Sequence, residues 1–233
     1  MRAKVTDGGA FHLDELLPRP LLVVPDANVF TGYEWTEQLL TETQQGRIQL
    51  FWSPKIVEEM GRVRFWIWVK RTFQRNQSPT GSAGWKALWS RYSEEAHAWF
   101  DRVSPHLQVI DDRAPHEDAW VVSMPDPNDA WLWNTARRVH ADFVVTVNLK
   151  DGPPTNAEGL RRHEQTIYVH PDVFTIVLRA WAYVCAAGAI PPDLSQVIRD
   201  TGRQQRASNI HLAEIHLRAI LARMANESPP PQR

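Results

Sequence analysis

The sequence predicts an α/β fold: a three-layer α/β/α sandwich with a mostly parallel central sheet, a Trp-rich helical arm and a C-terminal helical extension. Three observations predict it. Short apolar runs bounded by turn residues recur at Leu21–Pro25, Ile48–Trp52, Phe143–Val147 and Thr166–Val169, which is the pattern of buried strands. Stretches of helical periodicity separate them, and strands alternating with helices assemble as a parallel sheet with right-handed crossovers. Acids also stand where the apolar runs stop. Asp26 ends the first run, Glu59 follows the second, Asp129 lies in Asp126-Pro127-Asn128-Asp129-Ala130, and Asp151 closes Val145 through Lys150. The carboxyl edge of a parallel sheet is where its loops meet, so acids far apart in sequence can converge there. Convergent carboxylates bind hard divalent cations.

With 233 residues and 43% apolar content, the chain can bury one substantial core. No run approaches the ~18 apolar residues of a membrane span, and the N-terminus lacks a signal-peptide pattern, so a cytoplasmic protein is expected. The one cysteine, Cys185, excludes an internal disulfide, and its apolar neighbours favour packing over reactivity. A net charge of -1 argues against a basic coat, yet a local patch is enough to bind nucleic acid. Of eleven tryptophans, Trp66, Trp68, Trp85, Trp89 and Trp99 share one helical stretch. Core packing is expected for most, with stacking on bases open to some.

Residues 1–20, broken by Gly8-Gly9, Pro18 and Pro20, are an irregular lead-in, and 21–186 form the main domain. A helix at about 33–45 links the first two strands. From Pro54 to about Lys70, Ile56, Met60, Val63 and Ile67 make an apolar stripe; Glu59 lies at its edge and Glu58 points away. A polar turn over 76–84 leads to a helix at about 85–102, so the arm covers about 54–104. Leu107–Ile110 is a strand, and Trp120-Val121-Val122 an uncertain one. Asp126 then reads as an N-cap, Pro127 as the first helical residue and Asp129 as the third, in a helix to about Val139. Pro171 starts a helix to about Cys185, with His170 packing or capping beside it. Helices at about 193–200 and 209–226 make a separate module, 187–227, whose simplest role is to cover the core. Residues 228–233, Pro-rich, are a disordered tail.

Taken in order, these segments resemble PIN-domain ribonucleases, especially VapC-type toxins of toxin-antitoxin pairs. Asp26-Ala27-Asn28 after a strand resembles the opening acid, Ser53-Pro54 through Glu59-Met60 the helix with the second, and Asp129-Ala130 the third. Ala141 through Val147 is similar to the final core strand, and His170-Pro171-Asp172-Val173-Phe174 to the closing helix start. The resemblance covers roughly 21–180. It departs at Asn148, where many PIN domains carry Asp; Asp151, three residues on, can supply the charge.

The resemblance implies an endoribonuclease in which Asp26, Glu59, Asp129 and Asp151 are catalytic. Asp26, Asp129 and Asp151 would hold Mg²⁺ or Mn²⁺, with Glu59 binding directly or through water. Asn28, Thr146 and Asn148 would orient carboxylates and waters. Arg62 and Arg64 on the arm, and Lys150, Arg161 and Arg162 nearer the acids, could grip RNA phosphates; the arm series equally suits a solvated helix face. A cognate antitoxin and a homodimer are the implied partners. Taken singly, each acid has an ordinary reading as a turn, cap or solvated residue. A PIN-like binding module weakened at Asn148, and a housekeeping RNA-processing or DNA nuclease, remain alternatives. His211 and His216, five apart, lack the spacing of a helical zinc pair.

Overall fold

A computed structural model describes residues 20–31, 33–73, 81–110 and 129–227. The lead-in to Arg19, the possible strand at Trp120–Val122, Asp126 to Asn128 and the tail from Ser228 lie outside the described residues. The strands are Leu21–Pro25 (β1), Ile48–Trp52 (β2), Leu107–Val109 (β3), Phe143–Val145 (β4), Arg161–His163 (β5) and Thr166–Val169 (β6). The helices are Tyr33–Gln44 (α1), Pro54–Phe73 (α2), Gly81–Val103 (α3), Ala130–Arg138 (α4), Pro171–Ala187 (α5), Leu194–Thr201 (α6) and Ala207–Glu227 (α7).

The strands form one sheet in the order β3-β2-β1-β4-β6-β5. Every neighbouring pair is parallel except β5 with β6. The register places Val23 opposite both Leu50 and Phe143, and Pro25 opposite Val145. The central strands are apolar because helices leave them no wet face: Leu21, Val23, Val24, Leu50, Phe143 and Val144 are all buried. This is the α/β sandwich with a mostly parallel sheet that the sequence predicts.

Several boundaries differ for physical reasons. β4 stops at Val145, because the Thr146 hydroxyl accepts the Asn148 amide N–H at 3.0 Å and turns the chain, leaving Val147 38% exposed. Arg161-Arg162-His163 carries no apolar signature, so β5 is visible only through its pairing with β6. α3 begins at Gly81 and takes in residues assigned to the turn, since packing against α2 outweighs weak glycine propensity. Asp129 is the N-cap of α4, three positions earlier in the helix than the spacing from Asp126 suggests.

The arm's tryptophans divide between core and surface. Trp99 is buried and stacks on Trp52 at 5.4 Å, anchoring the arm to the sheet, whereas Trp66 and Trp89 are 54% and 42% exposed. Farther out, α2 and α3 pack chiefly on each other. The C-terminal helices, by contrast, join the core. Ala213, Leu217, Ile220 and Met224 of α7 are buried, and α7 packs on α5. Burying such Leu and Ile side chains contributes about 1.5–3 kcal/mol each. Gly188 ends α5 at φ 65°, the left-handed conformation a C-cap favours.

Candidate active site at the carboxyl edge

β1, β2 and β4 are adjacent and run the same way, so the residues that follow them emerge at one edge of the sheet. Asp26 is only 6% exposed, and its backbone N–H donates to the Val145 carbonyl at 2.8 Å. Its carboxylate Oδ2 accepts from the Thr146 hydroxyl at 2.6 Å and from Asn28 Nδ2 at 3.1 Å. Oδ1 accepts no hydrogen bond among the described residues. Because the Thr146 proton points to Asp26, its oxygen is left to accept from the Asn148 amide N–H. Asn148 Nδ2 donates in turn to Asp151 Oδ2. Asn28, Asp26, Thr146, Asn148 and Asp151 thus form one continuous hydrogen-bonded row that contains two carboxylates, Asp26 and Asp151.

Glu59 reaches this edge from α2. Its side chain is 12% exposed and that of Glu58 72% exposed, as the helical phase requires. Burial pushes the Glu59 carboxyl above the usual carboxylate range. A hydrogen bond from Arg62 at 2.7 Å opposes that rise, and the negative charge of Asp26 adds to it. Two acids from different elements therefore feel each other directly.

Asp129 is half-buried at the N-cap of α4, and its side chain makes no cap hydrogen bond to that helix. α4 packs on β1 and β4 and ends just before β4 begins, so its N-terminal end lies toward the carboxyl edge. Among the described residues, no three of the His, Cys, Asp and Glu side chains are close enough to enclose a metal ion. The Asn148 side-chain amide holds Asp151, and Arg62 holds Glu59. The oxygen-only donor set still suits a hard cation. Mg²⁺ is commonly held by one or two carboxylates with waters, and the buried Asp26 with an open Oδ1 beside Glu59 fits that description.

The basic residues divide. Arg62 is paired with Glu59, Arg64 is half-buried and Lys150 stands 82% exposed, 4.0 Å from Asp151. Arg161 donates to the Pro153 carbonyl at 3.0 Å, in the loop after Asp151. Arg162 lines a cleft against α7 and donates to the Glu164 carbonyl, so the two arginines do not make one patch. His170 accepts the Asp172 N–H at 3.2 Å and caps α5. Burial pushes the Cys185 thiol up, away from thiolate chemistry. The Arg62–Glu59 pair was missed as such, although its i, i+3 spacing is a sequence signal.

These features define a parallel α/β protein with an acidic, hydrogen-bonded site at the carboxyl edge of its first, second and fourth strands. A family model for the PIN domain matches residues 23–150, more than half of the chain, and the chain belongs to the PIN domain family. PIN domains are generally nucleases and generally use divalent metals. No curated protein and no solved structure matches the chain. The matched segment holds all four candidate acids but Asp151, and ends before β5, β6 and α5 to α7.

Proposed function

We propose that the protein is a metal-dependent endoribonuclease that hydrolyses RNA phosphodiester bonds, the VapC-type toxin of a type II toxin-antitoxin pair acting in the cytoplasm on tRNA or rRNA. The observation that carries this reading is the row of hydrogen bonds through buried Asp26 beside Glu59. Asp26 and Glu59 would hold Mg²⁺ or Mn²⁺, with Asp129 and Asp151 contributing charge from α4 and the loop after β4. Bound there, the ion supplies activation of a water and charge stabilisation on the leaving oxygen. Thr146 and Asn28 fix the Asp26 carboxylate so that Oδ1 faces the site, and Asn148 orients Asp151. Lys150 and Arg161 offer phosphate contacts near that loop. Residues 21–186 form the nuclease domain and 187–227 its C-terminal extension. A cognate antitoxin and self-association as a homodimer complete the reading.

One observation favours a second reading. Asn148 stands in the row where a further carboxylate would add charge, and its amide occupies Asp151. A binding module that has lost catalysis would look the same at this position. Incubation of total RNA with Mg²⁺ or Mn²⁺, beside EDTA and the variants Asp26→Asn and Asp129→Asn, separates the two. Discrete cuts that vanish in all controls support the nuclease. No metal-dependent cleavage by folded, antitoxin-free protein overturns it in favour of the module. Growth arrest on expression distinguishes a toxin from a housekeeping nuclease.

A further inference from the structure

The side of α2 that brings Glu59 into the site continues outward along the arm. Residues seven apart on an α-helix differ by about 20° around its axis, so Trp66 stands in line with Glu59, about 10 Å farther along. Arg62 lies between them, half-exposed and bonded to Glu59. Trp66 is 54% exposed, and its ring meets buried Phe65 edge-on at 5.7 Å. From α3, Trp89 is 42% exposed and meets the same Phe65 at 5.1 Å. Two open indoles are therefore braced on one buried ring. Lys86, one turn before Trp89, is exposed.

Exposing this much indole forgoes burial that would stabilise the fold, and the interleaved cations say what offsets it. The centre of a protein interface is depleted of charge, whereas an aromatic surface broken by Arg and Lys matches a nucleic-acid strand, with π-faces for bases and cations for phosphates. Only unpaired bases can use such a surface, since those of a duplex are stacked inside it. The Glu59 to Trp66 distance is about three nucleotide steps at the ~3.4 Å rise of a stacked strand.

Resting on the nuclease reading above, we propose that Trp66 and Trp89 form a stacking platform for unpaired bases of a single-stranded RNA segment. Arg62 and Lys86 hold its phosphates, and the strand runs along α2 to present the scissile bond at Glu59 and Asp26. The platform selects RNA with an open loop over continuous duplex.

The test is fluorescence anisotropy of a labelled single-stranded oligoribonucleotide of mixed sequence, and of the same strand annealed to its complement, with full-length protein in EDTA. Circular dichroism confirms the fold of each variant. Trp66→Ala and Trp89→Ala should each weaken single-strand binding roughly tenfold, with Trp66→Phe restoring most of it and duplex binding unchanged. Wild-type single-strand affinity in both alanine variants overturns the platform. So does lost self-association by sedimentation with RNA affinity intact, which makes the patch a protein interface. A wild-type protein that neither binds RNA in EDTA nor cuts it in a parallel reaction with Mn²⁺ sinks the nuclease reading itself, whereas Mn²⁺-dependent cleavage by the wild type with unaltered binding by the variants sinks the platform alone.

Discussion

Arg223, near the end of α7, forms an ion pair with Asp142, the fully buried residue immediately before β4. Asp142 Oδ2 also accepts the Leu22 N–H at 2.6 Å, while its own N–H donates to the Leu22 carbonyl at 2.8 Å. Arg223 in turn donates to the Gln165 carbonyl at 2.9 Å. A helix beyond the family-matched segment thus neutralises a carboxylate inside it, at the start of the β1–β4 pair whose other end leads into Asp26.

Removing one partner of a buried pair strands the other charge, which costs about 3–5 kcal/mol. Arg223→Met is expected to lose that much in urea unfolding. Combining it with Asp142→Asn should cost less than the sum of the two single changes, because no uncompensated charge remains. Equal, additive losses would show that the two side chains act independently.

Thr146→Val keeps the shape of the side chain and removes a hydroxyl that both donates to Asp26 and accepts from Asn148. Leaving these groups unsatisfied costs about 1–3 kcal/mol. Loss of an orienting partner typically reduces metal affinity or activity by about 10–100-fold. Isothermal titration with Mn²⁺ and RNA cleavage rates would register both; Thr146→Ser should recover most of each.

Arg161 and Arg162 are neighbours in sequence on opposite faces of β5. Arg161→Ala should weaken RNA binding and reduce the slope of log affinity against log salt by about one, the signature of a lost phosphate contact. Arg162→Ala, beside α7, should leave that slope unchanged. Equal effects from the two would mean that the RNA surface extends over the C-terminal helix.

His216 is 4% exposed and its Nδ1 bonds the Leu212 carbonyl, which can only accept, so Nδ1 carries the proton. Burial lowers its pKa from the usual 6.5, with the Leu212 bond opposing. The unfolded chain then binds a proton that the fold resists, so stability falls as pH drops past about 6.5 and on toward the folded-state value. His216→Gln retains a donor without titrating. Unfolding midpoints for this variant should decline less between pH 7 and 5 than those of the wild type, and parallel curves would contradict the assignment.

The strands with apolar runs, the helices between them and the edge from which Asp26, Thr146 and Asp151 emerge were legible because they rest on local spacing. Glu59 could be told from Glu58 by helical phase alone. Features that depend on a distant partner were not legible. β5 has no signature apart from β6, and Trp66 and Trp99 look alike until one meets Trp52 and the other solvent.

The sequence by itself determined the chain order of the apolar strands and the helices between them, the placement of acids at strand ends and the start of α5 at Pro171, because periodicity and chain direction need only neighbouring residues. Tertiary structure alone decided which oxygen of Asp26 is bonded and which is open. It also decided that Asn148 and Arg62 occupy two of the acids, and that Arg223 reaches Asp142 from 81 positions away. Those are pairings of polar groups across separate elements. Burial makes such groups seek partners, and only the packed fold determines which partners are within reach.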